Sequence, residues 1–168
     1  MKKAISFFAL AVLVSGVLAT SVDSQPASGS AVDRLMSLVD VWNGNDQSGK
    51  PVADSIRLVS NNTALEGNFQ SDQNHQMVTM YAPDGSRVAL THYCSMGNQP
   101  HMQTPALNAD ASEVVFSFIS ATNLASDNDK RLHRMMLKIE DSDHFSETWT
   151  LHVNGKEQTE TFHFTRKR

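Results

Sequence analysis

The segment His144-Phe-Ser-Glu-Thr-Trp-Thr-Leu-His-Val153, followed by Asn154-Gly155 and by Lys156-Glu-Gln-Thr-Glu-Thr-Phe-His-Phe-Thr165, announces its architecture more clearly than any other part of the chain. Asn-Gly between two alternating runs is the strongest short hairpin signal, because both residues tolerate the positive φ that a two-residue turn requires. Trp149, Leu151 and Val153 share one face of the first run, and Phe162 and Phe164 share one face of the second. Thr148, Thr150 and His152 lie opposite, so one side of the hairpin reads as core and the other as solvated.

The period of two continues upstream. Ile56–Ser60 and Ala64–Phe69 flank the polar turn Asn61-Asn62, and Met77–Tyr81 and Arg87–Tyr93 flank Pro83-Asp84-Gly85-Ser86, a proline-set turn with a glycine for positive φ. Glu113–Ile119 and Arg131–Ile139 follow, separated by the polar loop Asn123–Lys130. The spacing predicts eight or nine consecutive antiparallel strands. Since no second long helix is available to cover a parallel sheet, closure into an up-and-down barrel is the expected way to remove exposed edges. Val32, Leu35, Met36 and Val39 recur at helical spacing and predict a short helix leading into the barrel. A single domain over residues 31–168 is expected.

The N-terminus has the layout of a secretory signal: Lys2-Lys3, an apolar run from Ala4 to Ala19, and small residues at a cut placed after Ala19. The apolar run is short for a spanning helix, which needs about 20 residues. Residues 20–30, rich in Ser, Gln, Pro and Ala, read as a disordered tether. Residues 1–19 hold two of the 14 basic residues and none of the 18 acidic ones, so cleavage leaves a chain of net charge −6. That charge gives no basic footprint for nucleic acid or anionic lipid, and no stable membrane anchor is expected after cleavage. A lone cysteine, Cys94, allows no internal disulfide, so packing must supply the stability.

One block is chemically unusual. Thr91-His92-Tyr93-Cys94-Ser95-Met96-Gly97-Asn98-Gln99-Pro100-His101-Met102 gathers two histidines, the cysteine and two methionines. Period two places Val88, Leu90, His92 and Cys94 on one face, and Pro100 is expected to end the strand in a turn at the barrel's mouth. Leu90-Thr-His-Tyr-Cys94 followed by Gly97-Asn-Gln-Pro100 resembles a block in a group of bacterial secreted proteins of unknown function, distantly related to lipocalin-like (calycin) barrels. Trp42-Asn43-Gly44 is similar to the Trp-x-Gly opening strand of such folds, and the Trp149 hairpin matches their closing strands. The resemblance implies the barrel, export and the possibility of an interior ligand cavity, and it transfers no activity and no cofactor.

The first functional expectation is a binder of a small apolar ligand, with His92, Tyr93, Cys94, Asn98, Gln99 and His101 as contacts and methionines 77, 80, 96, 102, 135 and 136 as adaptable lining. The second is a metal or haem site using His92, Cys94, Met96 and His101, the imidazole, thiolate and thioether set that soft copper prefers. Its spacing matches no paired zinc or haem motif. Beside both stands the bland alternative of a structural barrel with no ligand. A Cys94 nucleophile with His92 or His101 as base would need a contact that alternation disfavours, and no nucleophile elbow, phosphate loop or paired-carboxylate signature occurs, so catalysis is not expected.

Overall fold

The structure, a computed structural model, describes residues 31–72, 75–108 and 110–168, with side chains from residue 33 onward. The expected signal peptide and tether lie outside the described residues. A short helix α1 (Ala31–Met36) precedes ten strands: β1 (Asp40–Asn45), β2 (Pro51–Val59), β3 (Ala64–Asp72), β4 (His75–Asp84), β5 (Arg87–Tyr93), β6 (Gln99–Gln103), β7 (Glu113–Thr122), β8 (Arg131–Ile139), β9 (His144–Val153) and β10 (Lys156–Arg166). Each strand pairs antiparallel with its neighbours in sequence, and β1 pairs with β10, so the sheet closes on itself as an up-and-down barrel. Closure leaves no free edge to template aggregation.

The barrel has ten strands where the spacing predicts eight or nine, and the addition is β6. Pro100 reads as a strand breaker because it lacks a backbone donor. It stands opposite Ala121 of β7, however, and outside the short run Ala89–Thr91 with His101–Gln103 that joins β6 to β5. The missing N–H therefore falls where the β5 ladder has already ended. Pro83 likewise belongs to β4, opposite Val88, and the turn narrows to Gly85-Ser86 with Gly85 at φ 61°.

The end of the barrel nearest α1 is plugged by buried Leu35 and Leu38. The Trp42 indole N–H donates to the Leu38 carbonyl at 2.8 Å, and the Arg166 guanidinium covers the Trp42 ring at 4.3 Å while donating to the carbonyl of Ser37 at 3.0 Å and to Asp40 at 2.6 Å. First strand, last strand and helix are thus fastened at one point. Trp42→Phe keeps most of the aromatic volume but orphans the Leu38 carbonyl. We expect it to cost about 1–3 kcal/mol, read by urea unfolding, as for a buried acceptor left without its donor.

Inside, Trp42 meets Phe145 edge-on at 4.7 Å and Phe145 stacks on Phe164 at 4.6 Å. Toward the opposite end Phe69, Trp149 and Phe162 form a second aromatic layer with centroids 4.8–4.9 Å apart. Such pairs add about 0.5–1.5 kcal/mol each beyond their area. Beneath α1 a cavity of about 10 Å³, lined by Leu35, Leu38, Ile56, Leu65, Tyr81 and Leu137, has room for about one water molecule.

Candidate functional site in the barrel interior

Alternation along β5 buries Val88, Leu90 and His92 and turns Thr91 and Tyr93 the other way. His92 points into the barrel, whereas Tyr93 is exposed on the outer face. His101, on the outward side of β6, shares a hydrogen bond of 3.1 Å with Thr91. Cys94 begins the β5–β6 loop and is half-buried, and Met96 is exposed in that loop. His92, Cys94, Met96 and His101 therefore do not converge on one point. Among the described residues no group of three His, Cys, Asp or Glu side chains is arranged to hold a metal ion.

Asn98 is buried, and its amide donates to the Lys130 carbonyl at 2.8 Å. Asn123 reaches back to the Gly97 carbonyl at 2.5 Å, and Thr122 donates to the Gln99 side chain at 2.6 Å. Asn98 and Gln99 thus clamp the β5–β6 loop to β7 and to the loop before β8, with Gly97 taking the positive φ of 85° that the turn requires. The Gly-Asn-Gln-Pro run builds this end of the barrel, and His92 and Met102 are the block's contribution to the interior.

The His92 ring sits 5.3 Å from that of Trp149, and its Nδ1 is 2.9 Å from the Thr79 hydroxyl. Burial holds the imidazole down to about 4, so it is neutral at neutral pH. Burial also pushes the Cys94 thiol up, which keeps it protonated there and removes the thiolate that nucleophilic attack requires.

Two carboxyl groups that the sequence analysis missed share this interior. Asp54 projects from β2 and Glu147 from β9, both almost fully buried. The Trp149 indole N–H donates to Glu147 Oε2 at 2.9 Å, which links the glutamate to His92 through one ring. Asp54 lies across Gly67 from Tyr81: a methyl group built on Gly67 would stand 3.6 Å from the Tyr81 ring and 3.7 Å from Asp54 Oδ2. Asp54 Oδ1 is buried and has no hydrogen-bond partner. Desolvation pushes Asp54 up to about 7, against the pull of the Ser55 and Asn68 backbone N–H groups. Desolvation and then the neighbouring Asp54 charge push Glu147 well above the usual carboxylate range. Tyr81 rises for the same reasons, burial first and the two carboxylates next, and stays a neutral phenol.

No family model matches this chain, and no curated protein matches it. The side chains alone therefore decide what chemistry the interior supports. An isolated buried carboxylate is costly, so the pair holds protons that the same groups would release in water. No ion pair among the described residues includes Asp54 or Glu147. The result is an apolar, aromatic barrel interior with one acidic spot that lacks a counter-charge and keeps one acceptor unused.

Proposed function

We propose that this chain is an exported, calycin-like barrel that binds one small ligand inside the barrel, against the wall that runs from His92 through Trp149 to Asp54 and Glu147. The observation that carries this reading is the unpartnered Asp54 Oδ1 in an otherwise apolar interior. Most buried polar atoms in folded proteins are satisfied, so an orphan beside a second buried carboxyl calls for an explanation, and a ligand donor supplies one. The largely apolar surroundings suit a ligand with an apolar body and a single polar group. Export rests on the Lys2-Lys3 start, the apolar run and the small residues ending at Ala19. The calycin relationship rests on the Leu90–Cys94 and Gly97–Pro100 block and on Trp42-Asn43-Gly44, whose tryptophan carries the Arg166 guanidinium.

The test is native mass spectrometry of the chain secreted by a bacterial host, before and after denaturation. One small molecule per chain, released on unfolding and reduced in Asp54→Asn, is the expected result. A chain that stays empty after incubation with host extract contradicts interior binding.

A further inference from the structure

One side of the outer barrel wall carries no charge. Residues 78–82 of β4, 89–93 of β5, 99–103 of β6 and 115–122 of β7 contain no Asp, Glu, Lys or Arg, in a chain with 14 basic and 18 acidic residues. The ladders set these four runs side by side: Val78 stands opposite Tyr93, Thr91 opposite both Met80 and His101, and His101 opposite Ser120. Alternation turns these side chains outward, because Tyr81, Leu90 and Met102 of the same strands are buried inside. Charge begins only at the margins, with Glu66 of β3 beside Met80 and Arg134 of β8 beside Ser117.

Apolar side chains gather on the same side. Of the four large hydrophobic residues exposed among the described residues, Tyr93 and Ile119 stand in this belt and Met96 in the loop joining β5 to β6, while Val41 of β1 lies elsewhere. Ile119 is the extra residue of a β-bulge: Ser120 pairs with His101 and Phe118 with Met102, which leaves Ile119 unpaired and 61% exposed. A single exposed hydrophobic residue is ordinary, whereas three on one side of a barrel form a patch.

We propose that this wall is the contact face of a symmetric dimer, in which the belt packs on the same belt of a second copy. Depletion of charge around exposed Tyr and Met is the composition that marks the core of protein interfaces. The chain has a net charge of −4, so two copies approach at least cost where both are uncharged. The polar side chains of the belt are hydroxyls, amides and an imidazole, which can both donate and accept, so the face is complementary to itself as a two-fold contact requires. A charged partner finds no counter-charge there, and an anionic lipid surface finds no Lys or Arg to hold its headgroups. A curved wall meets its copy over only part of the belt, so the contact falls in the small class, below about 1,200 Å² in total, and the dimer is reversible. This contact is independent of what the interior binds.

The experiment is sedimentation equilibrium of the full chain from low micromolar to several hundred micromolar, at low and at high salt. The expected result is a rise from the mass of one chain to that of two and no further. Salt should shift that rise to lower concentration, because it screens the repulsion between acidic copies and breaks no ion pair at the contact. Tyr93→Glu and Ile119→Glu place carboxylates on exposed positions of the belt and are expected to weaken the dimer by about tenfold or more each, with unchanged thermal midpoints. Val41→Glu, which alters the exposed hydrophobic residue outside the belt, is expected to leave the dimer intact. A chain that remains a monomer at every concentration overturns the proposal, and so does a dimer that ignores both belt variants or that Val41→Glu disrupts equally. A monomer that co-sediments with phosphatidylcholine vesicles, and loses them in Ile119→Glu, overturns the second copy in favour of a lipid surface.

Discussion

At pH 7 the Glu147→Gln protein is expected to be clearly more stable toward unfolding than the parent, and near pH 4.5 the two are expected to be alike. In the unfolded chain Glu147 titrates near 4.5, whereas in the barrel burial and Asp54 keep its proton on well above that value. Between the two values the folded state binds one proton more than the unfolded state, so the parent loses stability as the pH rises, by about 1.4 kcal/mol per unit. Glutamine keeps an acceptor for the Trp149 indole and has nothing to ionise. Asp54 acts in the same direction, from its ordinary 3.8 up to about 7. His92 acts in the opposite direction: with its folded value near 4 and its ordinary value 6.5, it adds stability as the pH rises across that window. Its slope offsets one carboxyl. The parent should therefore decline gently between about pH 4.5 and 6.5 and more steeply just above, while Glu147→Gln is nearly flat over the first interval. Urea unfolding of both proteins across this range measures the difference directly. A Glu147→Gln protein less stable than the parent at pH 7 would mean that the glutamate is ionised in the barrel.

The second large effect is at the seam where the barrel closes. Gly44 of β1 faces Phe164 of β10, and a methyl group added there would lie 2.5 Å from the His163 carbonyl oxygen and 2.7 Å from the Phe164 ring. The nearest obstacle is backbone, which cannot step aside without moving β10. Gly44→Ala is expected to pry β1 from β10, weaken the Lys167 N–H bond to the Val41 carbonyl and loosen Trp42 in its socket. We expect a loss of about 3–5 kcal/mol, at the upper end for a single substitution, seen as a lower thermal midpoint and a weaker near-ultraviolet tryptophan signal. Gly67→Ala is the control. Its added methyl group meets nothing nearer than 3.6 Å, so stability should change by less than about 1 kcal/mol. Similar losses for both variants would remove the closure argument.

The comparison of sequence with structure separates what alternation reveals from what it hides. The last hairpin is laid out as its residues promise, with Asn154-Gly155 turning β9 into β10 and Trp149, Phe162 and Phe164 inward. The His92 direction follows from the same rule, and so does the outward position of Tyr93, although the block reads as one cluster when only its composition is weighed. β6 was concealed by Pro100, whose lost donor matters only where a ladder bond is due. The acidic pair was concealed by its charge. Glu147 sits two residues before Trp149 and therefore faces the core, yet a glutamate in an alternating strand reads as solvent-facing unless the period is given precedence. Asp54 stands between Val52 and Ile56 on the inner face of β2, but Pro51 at the strand start and the aspartate itself make that stretch look like a loop. A carboxyl at an inward position of a strand was the signal available.

The barrel interior is therefore read as a packed apolar core that holds an acid pair protonated by burial. Carbon-13 NMR titration of the Asp54 and Glu147 side-chain carboxyls in the folded, ligand-free chain tests this most directly. The expected curves show Glu147 titrating well above the usual carboxylate range and Asp54 midway through its transition near pH 7. Two ordinary carboxylate curves, complete by about pH 5 as in model peptides, would contradict it.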